Sequence, residues 1–201
     1  MLEARDYDAV IYLYKDNDPL PRSQRLTQCA YRYARRRGLP AGDFTLATAE
    51  GGKPYFPHSP HIHFSISHSG ELWAAAFGGQ PLGLDIQRHE QRDHLALAQR
   101  WYHGDEYAAV KQNGPACFFD IWCAKESLVK CSGEGFAAFC AFCTVQNGRI
   151  AAQCGPWQLR PLELATGYSA CLCGKKLGLI HIEREEKVMW RADVSAPIMK
   201  K

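Results

Sequence analysis

Residues 82–87 read Leu-Gly-Leu-Asp-Ile-Gln, and residues 122–130 read Trp-Cys-Ala-Lys-Glu-Ser-Leu-Val-Lys. The first stretch alternates, as a strand does, so Leu84 and Ile86 enter a core while Asp85 and Gln87 point together to the other face. The second fits a helix, which stacks Glu126 and Lys130 one turn apart. If that helix face lies against the Asp85 face, two carboxylates converge beside a lysine. A magnesium-bound phosphoanhydride needs that arrangement, because magnesium takes one or two carboxylates, keeps waters and completes its shell with phosphate oxygens. Taken alone, a Glu-Lys pair at this spacing is an exposed salt bridge.

Working outward, residues 8–14 (Asp-Ala-Val-Ile-Tyr-Leu-Tyr) are β-branched and aromatic and predict a strand that breaks at residues 16–19. A helix follows to Arg37, with Leu26, Cys29, Ala30 and Tyr33 at helical spacing and Gly38 and Pro40 as its stop. Its other face carries Arg22, Arg25, Arg32, Arg35 and Arg36, which read as a solvated stripe or as a contact for phosphate or acidic protein. Short strands are expected at 44–48, 61–67, 72–77 and 82–87, mostly antiparallel. A helical pattern covers 93–112 with an interruption near His103-Gly104, and a further helix covers 115–130. Asn147-Gly148 predicts a hairpin within 144–150, and 167–173 and 177–182 are the last strand candidates. The charged tail beyond them reads as peripheral. The pattern is α+β, with sheet and helix packed in sandwich fashion.

Composition removes several function classes. With hydrophobic residues at 46% and charged residues at 22%, the chain is an ordinary globular one rather than disordered or fibrous. No apolar run approaches the ~20 residues of a membrane span, and the start, Met1-Leu2-Glu3-Ala4-Arg5-Asp6, carries acids where an export signal needs a basic and then apolar segment, so a cytoplasmic location is expected. The nine cysteines are odd in number and should be thiols; Cys140, Cys143, Cys171 and Cys173 fit buried small side chains better than a zinc site. A net charge of +3 permits an acidic partner without demanding nucleic acid.

Two further stretches point to phosphate. Gly51-Gly52-Lys53-Pro54 allows close backbone approach to a ligand, and the strand end Ser67-His68-Ser69-Gly70 offers hydroxyl, imidazole and backbone donors to an anion. Ser67 beside His68 does not make a hydrolase, since strand neighbours face opposite ways and no Gly-x-Ser-x-Gly elbow is present. His61 and His63 fit a polar strand face better than a metal pair.

In their order, Gly52-Lys53-Pro54, Phe64-Ser65-Ile66-Ser67-His68-Ser69, Gly83-Leu84-Asp85-Ile86, Arg100-Trp101-Tyr102-x-x-x-Glu106-Tyr107 and Trp122-x-x-Lys125-Glu126-Ser127-x-x-Lys130-x-x-Gly133-x-Gly135 resemble the 4′-phosphopantetheinyl transferase superfamily. The similarity is to its larger, monomeric, surfactin-synthetase-activating type and spans residues 52–135. The resemblance implies two α/β halves related by a pseudo-twofold axis, residues 1–82 and 83–201, each a small sheet packed with helix, with coenzyme A in the cleft between them. It also implies a cytoplasmic monomer that moves the phosphopantetheine arm of coenzyme A to a serine of an apo acyl or peptidyl carrier protein, leaving adenosine 3′,5′-bisphosphate. No nucleic acid or membrane partner is expected.

The resemblance further implies site roles. Asp85 and Glu126 would hold Mg2+ on the pyrophosphate, Lys130 would contact that pyrophosphate, and Ser67, His68 and Lys53 would surround the 3′-phosphate and adenine end. Pro54 and Lys125 belong to the same coenzyme A-binding set, Glu126 is the candidate base for the carrier serine, and Glu106 is a support. Gln87 stands where bacterial members of this type have a third acidic ligand, so either its amide oxygen or a water fills that position. Arg22 or Arg25 is the guess for basic contacts to coenzyme A. Two alternatives stay open: a weak or inactive relative that binds carrier protein, and a nucleic-acid binder using the arginine-rich helix.

Overall fold

The structure, a computed structural model, describes residues 7–16, 20–40, 42–135 and 139–184. Its elements run β1 (Ala9–Lys15), α1 (Arg22–Arg36), β2 (Ala47–Thr48), β3 (Pro54–Tyr55), β4 (His63–Ser69), β5 (Leu72–Gly78), β6 (Leu82–Arg88), α2 (His94–Trp101), α3 (Gly104–Asn113), α4 (Pro115–Ser132), β7 (Val145–Gln146), β8 (Arg149–Ile150), β9 (Gln153–Cys154), β10 (Trp157–Pro161), β11 (Tyr168–Gly174) and β12 (Ile180–Arg184).

Two four-stranded sheets, ordered β12-β1-β5-β4 and β6-β11-β10-β9, form the frame. Strand alternation assigns the layers. On β1, Val10, Tyr12 and Tyr14 face α1 together with Phe64, Trp73 and Phe77, while Ala9, Ile11 and Leu13 face Leu84, Ile86, Ala170 and Leu172 of the second sheet. The outer face of the second sheet is covered by α4, where Cys123, Ala124, Leu128 and Cys131 meet Leu159, Cys171 and Cys173. The layers therefore run α1, first sheet, second sheet, α4, in agreement with the α+β expectation. All described ladders are antiparallel except β1 with β12, which are parallel. Through β12 the chain returns from the second sheet to the first.

Most elements follow the sequence within a residue or two. α1 stops at Gly38 in the left-handed conformation, α4 begins with Pro115 in its first turn and ends on left-handed Gly133, and Asn147-Gly148 (φ 53° and 73°) closes the β7–β8 hairpin. Three differences have local causes. In 44–48 only Ala47–Thr48 is strand, because Asp43 takes the Thr45 N–H and Phe44 turns inward onto Phe56. The last strand begins at Ile180 rather than 177, since Leu177 N–H bonds the Gln158 side chain and Gly178 and Leu179 bond Asp8. β9 and β10 were not anticipated; their register is set by pairing to β11 rather than by any apolar run. The tail expected to be peripheral lies, from residue 185, outside the described residues. Among those residues no helix is long and apolar enough to cross a membrane.

Most of the arginine stripe of α1 is engaged with neighbouring groups, while Arg35 is exposed. Arg25 is 1% exposed, lies over Tyr14 and Trp73, and reaches Asp16 and the Leu20 carbonyl. Arg22 pairs with Asp16, Arg32 and Arg36 both pair with Glu183 on β12, and Arg37 donates to the Tyr7 carbonyl. These contacts tie α1 to the strands beneath it.

Candidate active site

The site lies where the edge strand of each sheet meets the other. β4 carries serines at 65, 67 and 69, all on one face, and their hydroxyls accept the N–H groups of Leu84, Ile86 and Arg88 on β6 at 2.9, 3.2 and 2.9 Å. The serines replace a backbone ladder between the two sheets and satisfy three donors that would otherwise be orphaned. This fixes β6 against β4 with a constant offset of nineteen residues. Gly83 fixes the other side. A Cβ there would lie 2.0 Å from the Ser127 carbonyl and 2.6 Å from the Cys131 nitrogen, so only glycine lets α4 approach β6 this closely.

Asp85, 6% exposed, occupies the corner so formed. Its Oδ1 accepts from the Ser67 hydroxyl at 2.8 Å and from the Lys130 ammonium at 2.7 Å, and Lys130 also donates to the Leu84 carbonyl at 3.1 Å. Glu126, one turn before Lys130, is half-buried beside them. Burial pushes its carboxyl above the usual range, the Asp85 charge pushes the same way, and Lys130 opposes both. Two carboxylates and one ammonium thus share one poorly solvated corner, as the sequence led us to expect.

The remaining expected residues divide. Lys53 and Pro54 line, with Lys130, Gly51, Gly52, Ile66 and Gly133, a cleft of about 240 Å³ next to that corner. The Lys53 ammonium donates to the carbonyls of Lys130 (2.7 Å) and Leu82 (3.2 Å), and burial lowers its pKa. Ser67 is committed to Asp85 and Ile86, whereas His68 points to the opposite face and is exposed, so the two do not form one cluster. Gln87 lies on the Asp85 face, half-buried and cross-strand from Ser169.

Lys125 is a correction. It is 1% exposed and does not reach the cleft; its ammonium meets both oxygens of fully buried Glu106 at 3.1 and 2.9 Å and the Phe142 carbonyl. Glu106 also accepts from His103 N, Thr144 N and the Thr144 hydroxyl. The pair clamps α4 to α3 and to the segment before β7. Arg25 is likewise sealed in the core and no candidate for a ligand contact.

A larger groove of about 1190 Å³ lies elsewhere, between the start of α4, the β7–β8 hairpin and the loop before β11, and none of the expected site residues lines it. Chemistry, rather than volume, favours the smaller cleft.

The residues present suit a magnesium ion. Among the described residues no three His, Cys, Asp or Glu side chains gather as a metal cluster, so an ion at this corner would rest on two carboxylates and take its other ligands from water and substrate oxygens. That preference is the one that separates magnesium from zinc.

Comparison with known proteins decides the family. Residues 81–173 match the model of the 4′-phosphopantetheinyl transferase superfamily. Over 151 residues, 70% of this chain and 67% of the relative, the sequence is 30% identical to the 4′-phosphopantetheinyl transferase Sfp of Bacillus subtilis. The chain belongs to the 4′-phosphopantetheinyl transferase superfamily. It is Sfp-like in type, being also 29% identical over 149 residues to the transferase ffp of Bacillus subtilis, with 69% and 66% of the two chains covered. The transferase AcpT of Salmonella typhi is 31% identical over 127 residues, 60% of this chain and 65% of its own. The matches span about two thirds of these relatives' lengths. The expectation of a transferase is thereby borne out.

The site also holds residues whose part the sequence concealed. Ser69 read as an anion donor but serves, with Ser65, the joint between the sheets; the period of two is the signal that places all three hydroxyls on one face.

Proposed function

We propose that this transferase moves the 4′-phosphopantetheine arm of coenzyme A to a serine hydroxyl of an apo carrier protein, with magnesium bound by Asp85 and Glu126. Coenzyme A would lie in the cleft between the two halves, 1–82 and 83–201, and adenosine 3′,5′-bisphosphate would leave. The observation that carries the reading is the desolvated Asp85–Glu126 pair with Lys130 between strand and helix. Bound at this corner, magnesium would neutralise the pyrophosphate and polarise the phosphorus under attack.

The chain's own residues do the rest. Ser67 holds the Asp85 carboxylate in place through its donated hydrogen bond. Lys130 and Lys53, whose ammonium groups rest on backbone carbonyls, balance phosphate charge from the floor of the cleft. Glu126 takes the proton of the incoming serine at a carboxylate oxygen, a task its raised pKa suits. His68, exposed at the end of β4, is the candidate for the 3′-phosphate. Gln87 offers a neutral oxygen, or leaves its position to water. The same reading makes the protein a cytoplasmic monomer.

Neither alternative is favoured. Of the arginines that suggested nucleic acid, Arg22 and Arg25 are engaged with Asp16 and Arg32 and Arg36 with Glu183, and a mere binder of carrier protein would have no use for a buried Asp85 beside the half-buried Glu126. The test is Asp85→Asn and Glu126→Gln, each nearly isosteric. Both should fold and lose nearly all transfer, measured by mass spectrometry of apo carrier protein incubated with coenzyme A and magnesium. Activity within a few-fold of wild type in either variant places the metal elsewhere.

A further inference from the structure

Behind the wall of the cleft sit two cysteines that the transfer reaction does not use. Cys131 lies in the last turn of α4, 4% exposed, and Cys173 near the end of β11, 0% exposed. Three observations bring them together. Cys173 is the cross-strand partner of Gly83, and a Cβ on Gly83 would touch the Cys131 nitrogen at 2.6 Å, so helix and strand meet with no side chain between. The two side chains belong to one packed cluster. Each sulfur also perturbs the titration of the other, Cys173 lowering Cys131 and Cys131 raising Cys173.

The surroundings make the pair unequal. Cys173 favours the Cys131 thiolate, as do the nearby charges of Lys53 and Lys175, and against the opposing effect of burial they lower the Cys131 pKa; the Cys173 thiol is raised. One nucleophilic sulfur beside one protonated partner is the arrangement in which a thiol is oxidised and then resolved.

We propose that Cys131 and Cys173 form a reversible disulfide that turns transfer down. A hydroperoxide supplies the oxidising equivalents. The Cys131 thiolate attacks one peroxide oxygen, the S–O bond forms, the O–O bond breaks, and hydroxide leaves and takes up a proton. Cys173 then loses its proton and attacks the sulfenic sulfur, the S–S bond forms, and the second oxygen leaves as water. Two electrons pass from the thiols to the peroxide, and a dithiol reductant returns them.

Closing the sulfurs to ~2.05 Å draws the last turn of α4 toward β11. That turn carries Lys130, whose ammonium bonds Asp85 and whose carbonyl holds Lys53 at 2.7 Å. Cys131 also gives up its bond to the Pro81 carbonyl, just ahead of β6. Both lysines of the cleft therefore shift together. The loss should appear first as weaker coenzyme A binding and a raised KM.

The experiment treats the full chain with a few equivalents of hydrogen peroxide and follows intact mass, the peptide map, calorimetric coenzyme A binding and carrier-protein transfer in parallel. The expected result is loss of two hydrogens, a linked peptide joining residues 131 and 173, a several-fold rise in KM, and recovery with dithiothreitol. Cys131→Ser and Cys173→Ser should resist peroxide, while Cys140→Ser, at an exposed cysteine, should stay as sensitive as wild type. The proposal is overturned by linkage between other cysteines, by inactivation that persists in Cys131→Ser, or by a 131–173 linkage that leaves binding and transfer unchanged. The effect on rate rests on the transferase reading, but the peptide map does not. A reduced protein that transfers nothing would sink that reading and leave the linkage to be judged by mass and coenzyme A binding alone.

Discussion

Replacing Lys125 by Met separates a structural lysine from a ligand-binding one. Both partners of the Lys125–Glu106 pair are buried, with side-chain exposures of 0%. Met matches the length of the lysine stem, so the change removes the charge and little volume. Glu106 keeps its bonds from His103 N, Thr144 N and the Thr144 hydroxyl, but its charge is left uncompensated. Breaking a buried pair in this way costs ~3–5 kcal/mol, about a fifth or more of the ~5–15 kcal/mol that holds a typical domain together. At about 2–4 °C per kcal/mol for a chain of this size, the melting temperature should fall by roughly 6–20 °C. The double variant Lys125→Met/Glu106→Leu removes both charges and should recover part of the loss. It cannot recover all of it, because the His103 and Thr144 N–H groups then lack an acceptor, at ~1–3 kcal/mol each. Urea unfolding with calorimetric coenzyme A binding on the folded protein measures both sides. The single variant should bind coenzyme A within about twofold of wild type. A melting temperature within about 2 °C of wild type, together with lost binding, would refute the assignment and return Lys125 to the cleft.

Three other outcomes follow from the same geometry. Gln87→Glu should reach half-maximal transfer at lower magnesium, and Gln87→Ala should still transfer; a dead Gln87→Ala, or a magnesium titration unmoved by the glutamate, removes residue 87 from the metal site. Gly83→Ala should give little soluble protein, because its Cβ would stand 2.0 Å from the backbone oxygen of Ser127, and a stable, active Gly83→Ala would mean that α4 does not lie where it is described. Asp16 has its pKa lowered chiefly by its bond from Arg22, so its contribution to stability is full above the unfolded value near 3.8 and is lost as pH falls further; Asp16→Asn should flatten that acid limb in thermal melts, and an unchanged limb would mean the pair does nothing for folding.

The elements with two buried faces were the legible ones. β1 and β5 hold apolar residues at nearly every position because a sheet or a helix covers each side, and α1 and α4 carry unbroken stripes and clear stops at Gly38 and Gly133. β9 and β10 lie at the edge of the second sheet with most residues exposed, so their order comes from partners distant in sequence. The lysines of α4 show the same limit. Lys125 and Lys130 lie five residues apart on different faces of one helix, and only the fold shows that Glu106 waits for the first and Asp85 for the second. Arginines 32 and 36 read as solvated because their partner, Glu183, is some 150 residues away and reaches them through the return of β12.

The serine joint explains why the metal corner can exist at the boundary between two sheets. An edge strand normally exposes a row of N–H groups that must be covered or paired. Had β4 paired with β6 through backbone, the two sheets would be one, and Asp85 would lie in its interior with no cleft in front of it. Hydroxyls on side chains hold the strands further apart than a ladder does, so the donors of Leu84, Ile86 and Arg88 are satisfied while the edge stays open to ligand. Ser67 joins the two tasks, accepting from Ile86 N and donating its single proton to Asp85. That donated bond fixes the 6% exposed carboxylate where the half-buried Glu126 stands beside it, so that a divalent cation could be shared between the two.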